Sequence, residues 1–269
     1  MTWKVVPLSQ GQLLDVRKED VLSGGDFRLC ETYRGGGGYD QFPSIIEKRS
    51  GKNHHKQFIV QLFGCNLDCP YCYVTRAGVW SKPKQLTTLQ LVEAFQSAHE
   101  THEATVFHLM GGAPALQLKQ WPALIEALAS VKFEYVFHSD FLLTEGVYSE
   151  DVLKKLARKD CLFAVDVKGL TKEEHLRNTR KPFQEELFWK NLGRLEETKV
   201  PYYVTFTAVE TPSLFWKKFQ ELWPKSYERV VSESFSINLI DYEAAPHIDD
   251  VPWEVVNDPL PGHGNHSSD

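Results

Sequence analysis

No stretch of the 269-residue sequence approaches the roughly 18 to 20 consecutive apolar residues of a membrane-spanning helix, so hydropathy excludes a bilayer span. The opening residues, MTWKVVPLSQGQ, lack the apolar core of a secretory signal. Basic excess is missing too. The formal net charge is −6, which excludes a general nucleic-acid surface but leaves room for a local basic pocket. Cysteine is scarce: there are five, an odd number with three crowded together, which suits metal ligation in a reducing compartment better than a disulfide framework. Internal repeats are absent. These absences predict a cytoplasmic protein with no membrane or nucleic-acid partner. What is present, 42% hydrophobic and 25% charged residues, predicts one main globular domain with a sizeable core.

From residue 57 onward, short β-branched or aromatic runs alternate with longer segments of helical period, the pattern of consecutive βα units. The predicted strands are QFIVQLF (57–63), ATVFHLM (104–110), FEYVFHS (133–139), CLFAVDV (161–167), PYYVTFTAV (201–209) and SFSINLI (234–240). The first predicted helix, TTLQLVEAFQSAH, has Thr87 as a cap with Gln90 three residues on, and Leu91, Phe95 and Ala98 on one face. The second, LKQWPALIEALAS, carries Pro122 near its first turn or at a kink. Ser149 is placed to cap the third, EDVLKKLAR, whose first turn is acidic. Phe188, Leu192 and Leu195 line the next helix, and SLFWKKFQELW follows the fifth strand. Near-continuous apolar strands predict an α/β protein whose parallel sheet is covered on both faces. Periodicity leaves a curved, incomplete barrel and an open doubly wound sheet equal; in both, ligands gather at the C-terminal strand ends. Residues 1–56, with strand-like WKVVPL and the loop-like RGGGGYD (34–40), form an expected N-terminal extension. Residues 242–269 read as an irregular tail whose last residues are disordered.

The crowded cysteines lie in FGCNLDCPYCYV (63–74), directly after the first predicted strand. Spacings of three and then two intervening residues let one loop wrap Cys65, Cys69 and Cys72 around a single inorganic core. Structural zinc takes four ligands, usually as separated pairs, whereas an iron–sulfur cube with three protein thiolates keeps one iron open. The competing reading is a zinc knuckle in which Cys69 and Cys72 find distant partners such as Cys30, His54 or His55. Cys30 and Cys161 read as single structural thiols, and the His-containing tail as no metal site.

CNLDCPYC, with Tyr71 just before the last cysteine and an apolar strand ahead of it, resembles the cluster motif of the radical S-adenosylmethionine superfamily. A second feature falls where that family has one. MGGAPAL (110–116) resembles its Gly-Gly-Glu-Pro turn, whose backbone meets the amino group of S-adenosylmethionine, with Ala113 in place of the usual Glu. The likeness covers residues 57 to 241 approximately. It implies a partial (β/α)6 barrel, a [4Fe–4S] cluster, S-adenosylmethionine and an external electron donor of flavodoxin or ferredoxin type. It implies too that S-adenosylmethionine is cleaved to a 5′-deoxyadenosyl radical that removes hydrogen from a substrate.

The same likeness assigns further residues. Gly111, Gly112, Ala113 and Pro114 would hold the cofactor, and Tyr71 would lie against its adenine. Asp166 and Lys168, in DVKG at the end of the fourth strand, face one side of an extended chain. They read either as a surface ion pair or, by resemblance to the Asp-Leu-Lys of glycyl-radical-enzyme activases, as cofactor-binding groups; the following DVKGLTKEEHLRNTRKP, with His175, is similar to the activase loop. In those enzymes the Asp and an acidic residue after the third strand sit by a monovalent cation, for which Asp140 is the match. Ser139 would touch the methionyl or ribose group, and VTFTAVE (204–210), Asn238 and Tyr242 would flank the adenosine or belong to ordinary strands. The basic run Lys168, Lys172, Arg177, Arg180 and Lys181 is expected on the loop after the fourth strand. It is either a solvated face or a grip for an anionic substrate. No cysteine follows Cys161, which excludes a C-terminal auxiliary cluster.

Two functions compete within that chemistry. The first expectation is an enzyme acting on a small molecule (an amino acid, nucleobase or sugar derivative) with the N-terminal segment closing the barrel mouth. The second is an activase that installs a glycyl radical on a partner enzyme. From a different class comes a non-catalytic zinc or electron-transfer protein, which the MGGAPAL turn disfavours.

Overall fold

The structure is a computed structural model that describes residues 1–7, 20–22, 26–31, 56–72, 74 and 79–237. The expected loop at 34–40, the tail, His54, His55, Asn238 and Tyr242 lie outside the described residues.

The N-terminal strands are β1 (Thr2–Val5), β2 (Asp20–Leu22) and β3 (Phe27–Glu31). Then come β4 (Lys56–Gln61), β5 (Lys84–Thr87), α1 (Thr88–His102) and β6 (Ala104–Met110). A 3-10 helix (Pro114–Gln120) runs into α2 (Trp121–Leu128), followed by β7 (Val136–Phe141), α3 (Glu150–Leu156) and β8 (Cys161–Val167). The rest is α4 (Lys172–Thr179), α5 (Glu185–Thr198), β9 (Tyr202–Thr207), α6 (Pro212–Leu222), α7 (Pro224–Glu233) and β10 (Phe235–Ile237).

Strand order settles what periodicity left open. The main sheet runs β10-β9-β8-β7-β6-β4-β3-β2 and is parallel from β4 to β10, with β3 and β2 added antiparallel. Parallel order follows chain order without a reversal, so right-handed crossovers return every helix to the same face. A doubly wound sheet reverses and carries helices on both faces. The fold is therefore α/β of the partial-barrel kind. On the helix-covered face Phe58, Phe107, Phe137 and Phe163 meet Phe95, Trp121, Leu192 and Phe215. Trp121 stacks on Phe141 and Phe163 at ring-centroid distances of 5.3 and 5.6 Å. The inner face packs Val106, Leu162, Ala164, Tyr203 and Phe235. The described part of residues 1–56 joins this framework: β3 pairs with β4, and β1 pairs with β5 as a separate ribbon.

Local chemistry explains the element ends. Thr87 Oγ1 accepts from Gln90 N at 3.2 Å and Gln90 Oε1 accepts from Thr87 N at 2.8 Å, the reciprocal cap predicted for α1. Such a cap stabilises a helix by about 1 kcal/mol. Pro122 sits in the first turn of α2, where a missing N–H costs nothing. Ser149 occupies the N-cap of α3, but its hydroxyl does not cap; the acidic Glu150 and Asp151 meet the helix dipole instead. The third strand is displaced from its expected 133–139 to Val136–Phe141, because Phe133 and Tyr135 pack against the core from outside the strand. Asp140 thus lies inside β7 rather than after it. A larger correction concerns the basic run. Residues 172–179 are the helix α4, capped by Thr171 Oγ1, which accepts from Glu174 N at 3.1 Å. Arg177 on that helix is held by Glu210 at 2.7 Å.

Candidate active site

The cysteine loop leaves the C-terminal end of β4 and is tied down from three directions. Gly64 N donates to Val79 O at 3.0 Å and Asp68 N to Thr179 O, at the end of α4, at 2.9 Å. Asn66 Nδ2 donates to both Thr144 O and Thr144 Oγ1 at 3.1 Å. Cys72 N closes a turn onto Cys69 O at 3.1 Å. The loop is thus anchored to the segments after β7 and β8, the mouth of the barrel. Its thiols are partly buried: Cys65 and Cys69 against Leu67, Ala113 and Leu142, Cys65 and Cys72 against Val74 and Val79. Burial pushes the Cys65 thiol up to about 12, against the opposing Leu67 N–H, 3.4 Å from its sulfur. Burial also raises Cys69, with Lys168 opposing.

Among the described residues, the three candidate ligand atoms that lie within 4.8 Å of one another belong to His108, His138 and Asp140, not to the cysteines. Three thiols of one loop, partly buried against shared apolar neighbours, supply three sulfur ligands, and a [4Fe–4S] cluster with three thiolate ligands fits that donor set.

The Gly-Gly turn leaves the C-terminal end of β6 and abuts this loop. Ala113 N donates to Gly64 O at 2.8 Å, and Ala113 is itself buried against the cysteine pocket. Gly112 has φ +55, and a Cβ there would stand 2.1 Å from Gly64 O, so this contact requires glycine. Pro114 starts the 3-10 helix.

Asp166 and Lys168 form a recessed rather than a surface pair. Lys168 Nζ lies 2.5 Å from Asp166 Oδ2, with side-chain exposures of 13% and 19%, and donates to Thr207 Oγ1 at 3.2 Å. Thr207 and Thr205 hydroxyls donate to Asp166 Oδ1 at 2.9 and 3.3 Å. Burial acts to lower the Lys168 pKa, but Asp166 and the Cys69 thiol outweigh it and the ammonium is stabilised. That ammonium stands 5.6 Å over the ring of Tyr71, which packs on Cys69 and Ala208. Tyr71, Asp166, Lys168, the Gly-Gly turn and the three cysteines therefore share one end of the sheet.

Asp140 and Ser139 part company. Asp140 points to the inner face, where burial and then Asp166 lift its carboxyl to about 7, Lys168 opposing. Ser139, between Phe137 and Phe141, is fully buried toward the helices and donates to Leu109 O at 3.0 Å. His175 is scaffolding: Nδ1 bonds Lys181 O at 3.0 Å and its ring stacks on Phe183 at 4.8 Å.

Deeper on the inner face lie residues that motif reading passed over: Arg28, Gln57, His108, His138 and Tyr203. The strands repeat Val-Phe-His at 106–108 and 136–138, and alternation puts both histidines on one side in register. That repeat was the available signal.

A family model described as the Radical SAM superfamily matches residues 59–222, well over half the chain. A solved structure of anSMEcpe with bound AdoMet is 18% identical over 65% of this chain and 46% of its own, with a TM-score of 0.46. A structure of TYW1 with a lysine-pyruvate adduct bound is 15% identical over 75% of this chain and 72% of its own, with a TM-score of 0.47. TsrM from Kitasatospora setae, with cobalamin and a [4Fe-4S] cluster bound, is 12% identical over 54% of this chain and 29% of its own, with a TM-score of 0.40. The chain thus spans about half the length of the anSMEcpe structure. No curated protein matches significantly.

Proposed function

The chain belongs to the radical S-adenosylmethionine superfamily, and we propose that within it this protein acts on a small polar molecule held on the inner face of the sheet. When bound, the [4Fe–4S] cluster supplies the electron that breaks the sulfonium of S-adenosylmethionine, giving the hydrogen-abstracting 5′-deoxyadenosyl group. Cys65, Cys69 and Cys72 would ligate the cluster. The backbone of Gly111 to Pro114 would receive the methionyl amino group, Lys168 its carboxylate, and Tyr71 the adenine. Ser139, committed to Leu109 O, has no part in that site. An external electron donor of flavodoxin or ferredoxin type would act in the cytoplasm, consistent with the fact that no helix among the described residues is long and apolar enough to cross a membrane.

The observation that supports a small-molecule substrate is the lining below this cofactor site. Arg28, Gln57, His108, His138 and Tyr203 are polar or ionisable, largely buried and turned toward the sheet interior. Hydrogen bonds join Gln57 to His108 and His138 to Tyr203, and a lining with a few such placed polar groups suits a polar ligand better than an apolar one. Arg28 comes from β3, so the N-terminal region contributes to this lining. The test is anaerobic: reduced protein and S-adenosylmethionine are given fractionated small metabolites, and 5′-deoxyadenosine release is followed. Stimulation by a fraction of low molecular mass, with deuterium passing from the labelled compound into 5′-deoxyadenosine, is expected. No stimulation by any such fraction, together with a glycyl-radical signal on an added partner enzyme, would replace this reading with the activase.

A further inference from the structure

The geometry points to a second metal site: a mononuclear divalent transition ion held by His108, His138 and Asp140 on the inner face, separate from the cysteine loop. One ligand atom from each of the three lies within 4.8 Å of the other two. Bonds of about 2.0 to 2.2 Å to one ion require ligand atoms about 3 to 3.5 Å apart, so closure by roughly an ångström completes the site. β6 and β7 supply the alignment. His108 is the direct register partner of His138, their rings meet edge to face at 4.4 Å, and Asp140 is the next residue of β7 on the same face.

Neighbouring groups set the imidazoles as ligands. Gln57 Oε1 can only accept, so its 2.7 Å contact with His108 Nδ1 puts the proton there and makes Nε2 the lone-pair nitrogen. Tyr203 OH lies 3.1 Å from His138 Nε2, and with Nε2–H donating to that hydroxyl the lone pair of His138 is on Nδ1. Such hydrogen bonds behind a ligating histidine fix its tautomer and raise its basicity.

The donor set names the ion class. Asp140 is the residue that family resemblance would give to a monovalent cation. Two neutral nitrogens beside one carboxylate select zinc, iron or manganese over sodium or potassium, which take oxygen ligands. Arg28 works against a cation, and Lys168 partly neutralises Asp166 nearby, so the affinity is micromolar rather than that of a closed structural site. Three protein ligands leave coordination positions facing the sheet interior, and with Arg28 they would suit a carboxylate- or phosphate-bearing molecule.

Cluster-loaded protein, dialysed anaerobically against zinc chloride, is the material for the test. We expect one zinc per chain beyond the cluster iron, saturating in the micromolar range. His108→Gln and His138→Gln, neither in the cysteine loop, should each weaken it at least tenfold, and Gln57→Leu about tenfold. Iron content and the visible cluster absorbance should not change in these variants. Zinc K-edge spectroscopy of the wild type needs no variant and should show a shell of nitrogen and oxygen at about 2.0 to 2.1 Å with imidazole scattering. Absence of a zinc equivalent, equal binding by both histidine variants, or a sulfur shell at about 2.3 Å would each overturn the site. None of these readouts depends on cleavage of S-adenosylmethionine or on the identity of a substrate, so they fail separately from the function proposed above.

Discussion

Replacing Gly112 by alanine isolates the link between the Gly-Gly turn and the cysteine loop. The added Cβ would stand 2.1 Å from Gly64 O, roughly an ångström inside the shortest approach that backbone tolerates, and a tight 3.1 Å from Leu62 O. Gly112 holds φ +55, a left-handed conformation that costs an alanine about 1 to 2 kcal/mol. Moving Gly64 O away breaks its 2.8 Å bond from Ala113 N, a further loss of about 1 kcal/mol. The sum is about 2 to 3 kcal/mol, large against the 5 to 15 kcal/mol that holds a typical domain together. The damage is local to the two segments that frame the cofactor. Urea denaturation should therefore report the stability loss, while calorimetry on cluster-loaded protein should report at least a tenfold weaker affinity for S-adenosylmethionine, about 1.4 kcal/mol. Gly193→Ala is the control. It lies in α5, its Cβ would meet only Trp223 at an ordinary 3.5 Å, and helix propensity should make it neutral or slightly stabilising. A Gly112→Ala protein with wild-type stability, iron content and cofactor affinity would refute the reasoning.

Asp140 gives a pH test in metal-free protein. Its folded pKa of about 7 lies above the unfolded 3.8, so the folded chain holds the proton more tightly; that advantage is complete below about pH 4 and lost as the pH rises through 7. Asp140→Asn cannot ionise and should gain on wild type by up to about 4 kcal/mol across that window and no further above it; urea midpoints that run parallel from pH 4 to 8 would contradict this. The thiols give a kinetic one. At pH 8 a Cys65 thiol with a pKa near 12 is ionised to about one part in 10⁴, so iodoacetamide should alkylate it in metal-free protein at least about a hundredfold more slowly than free cysteine. Equal rates measured by peptide mass spectrometry would show that the pocket is not dry. Thr87→Ala should cost about 1 kcal/mol in urea by opening the α1 cap while leaving iron content unchanged.

The parts of the protein that were legible in the sequence are those where one local signal fixes one outcome. Thr87 and Gln90 three residues apart give the α1 cap, and apolar β-branched runs give β6 and β8 to the residue. The spacing of Cys65, Cys69 and Cys72 needs no tertiary information to suggest a loop that wraps an inorganic core. Family resemblance, not periodicity, first favoured the barrel; strand order, which depends on crossovers between distant segments, then decided it. Residues 172–179 were misread because Lys172, Glu173, Glu174 and Arg177 look like a solvated loop. What makes them a helix is the burial of His175, Asn178 and Thr179, with Asn178 Nδ2 donating to Lys168 O and Ala208 O at 2.8 Å each. Those bonds join the ends of β8 and β9, and the last residue of α4 holds Asp68, so the misread segment also supports the cysteine loop. Ser139 was misjudged by one residue of strand phase, which turns a side chain from one face of a sheet to the other. His108 and His138 went unnoticed because each alone in an apolar strand is unremarkable; only the parallel register makes them neighbours.

The central claim is that three thiolates at the C-terminal end of β4 hold a cluster that breaks S-adenosylmethionine beside the Gly-Gly turn. Anaerobically reconstituted protein, reduced with dithionite and given S-adenosylmethionine, is the direct measurement, read as 5′-deoxyadenosine and methionine by liquid chromatography. The prediction is that both form with the wild type, and that alanine at Cys65, Cys69 or Cys72 abolishes cluster iron and both products together. Intact S-adenosylmethionine after reduction of fully loaded wild type, or cluster iron at wild-type level in any one of the three cysteine variants, would contradict it.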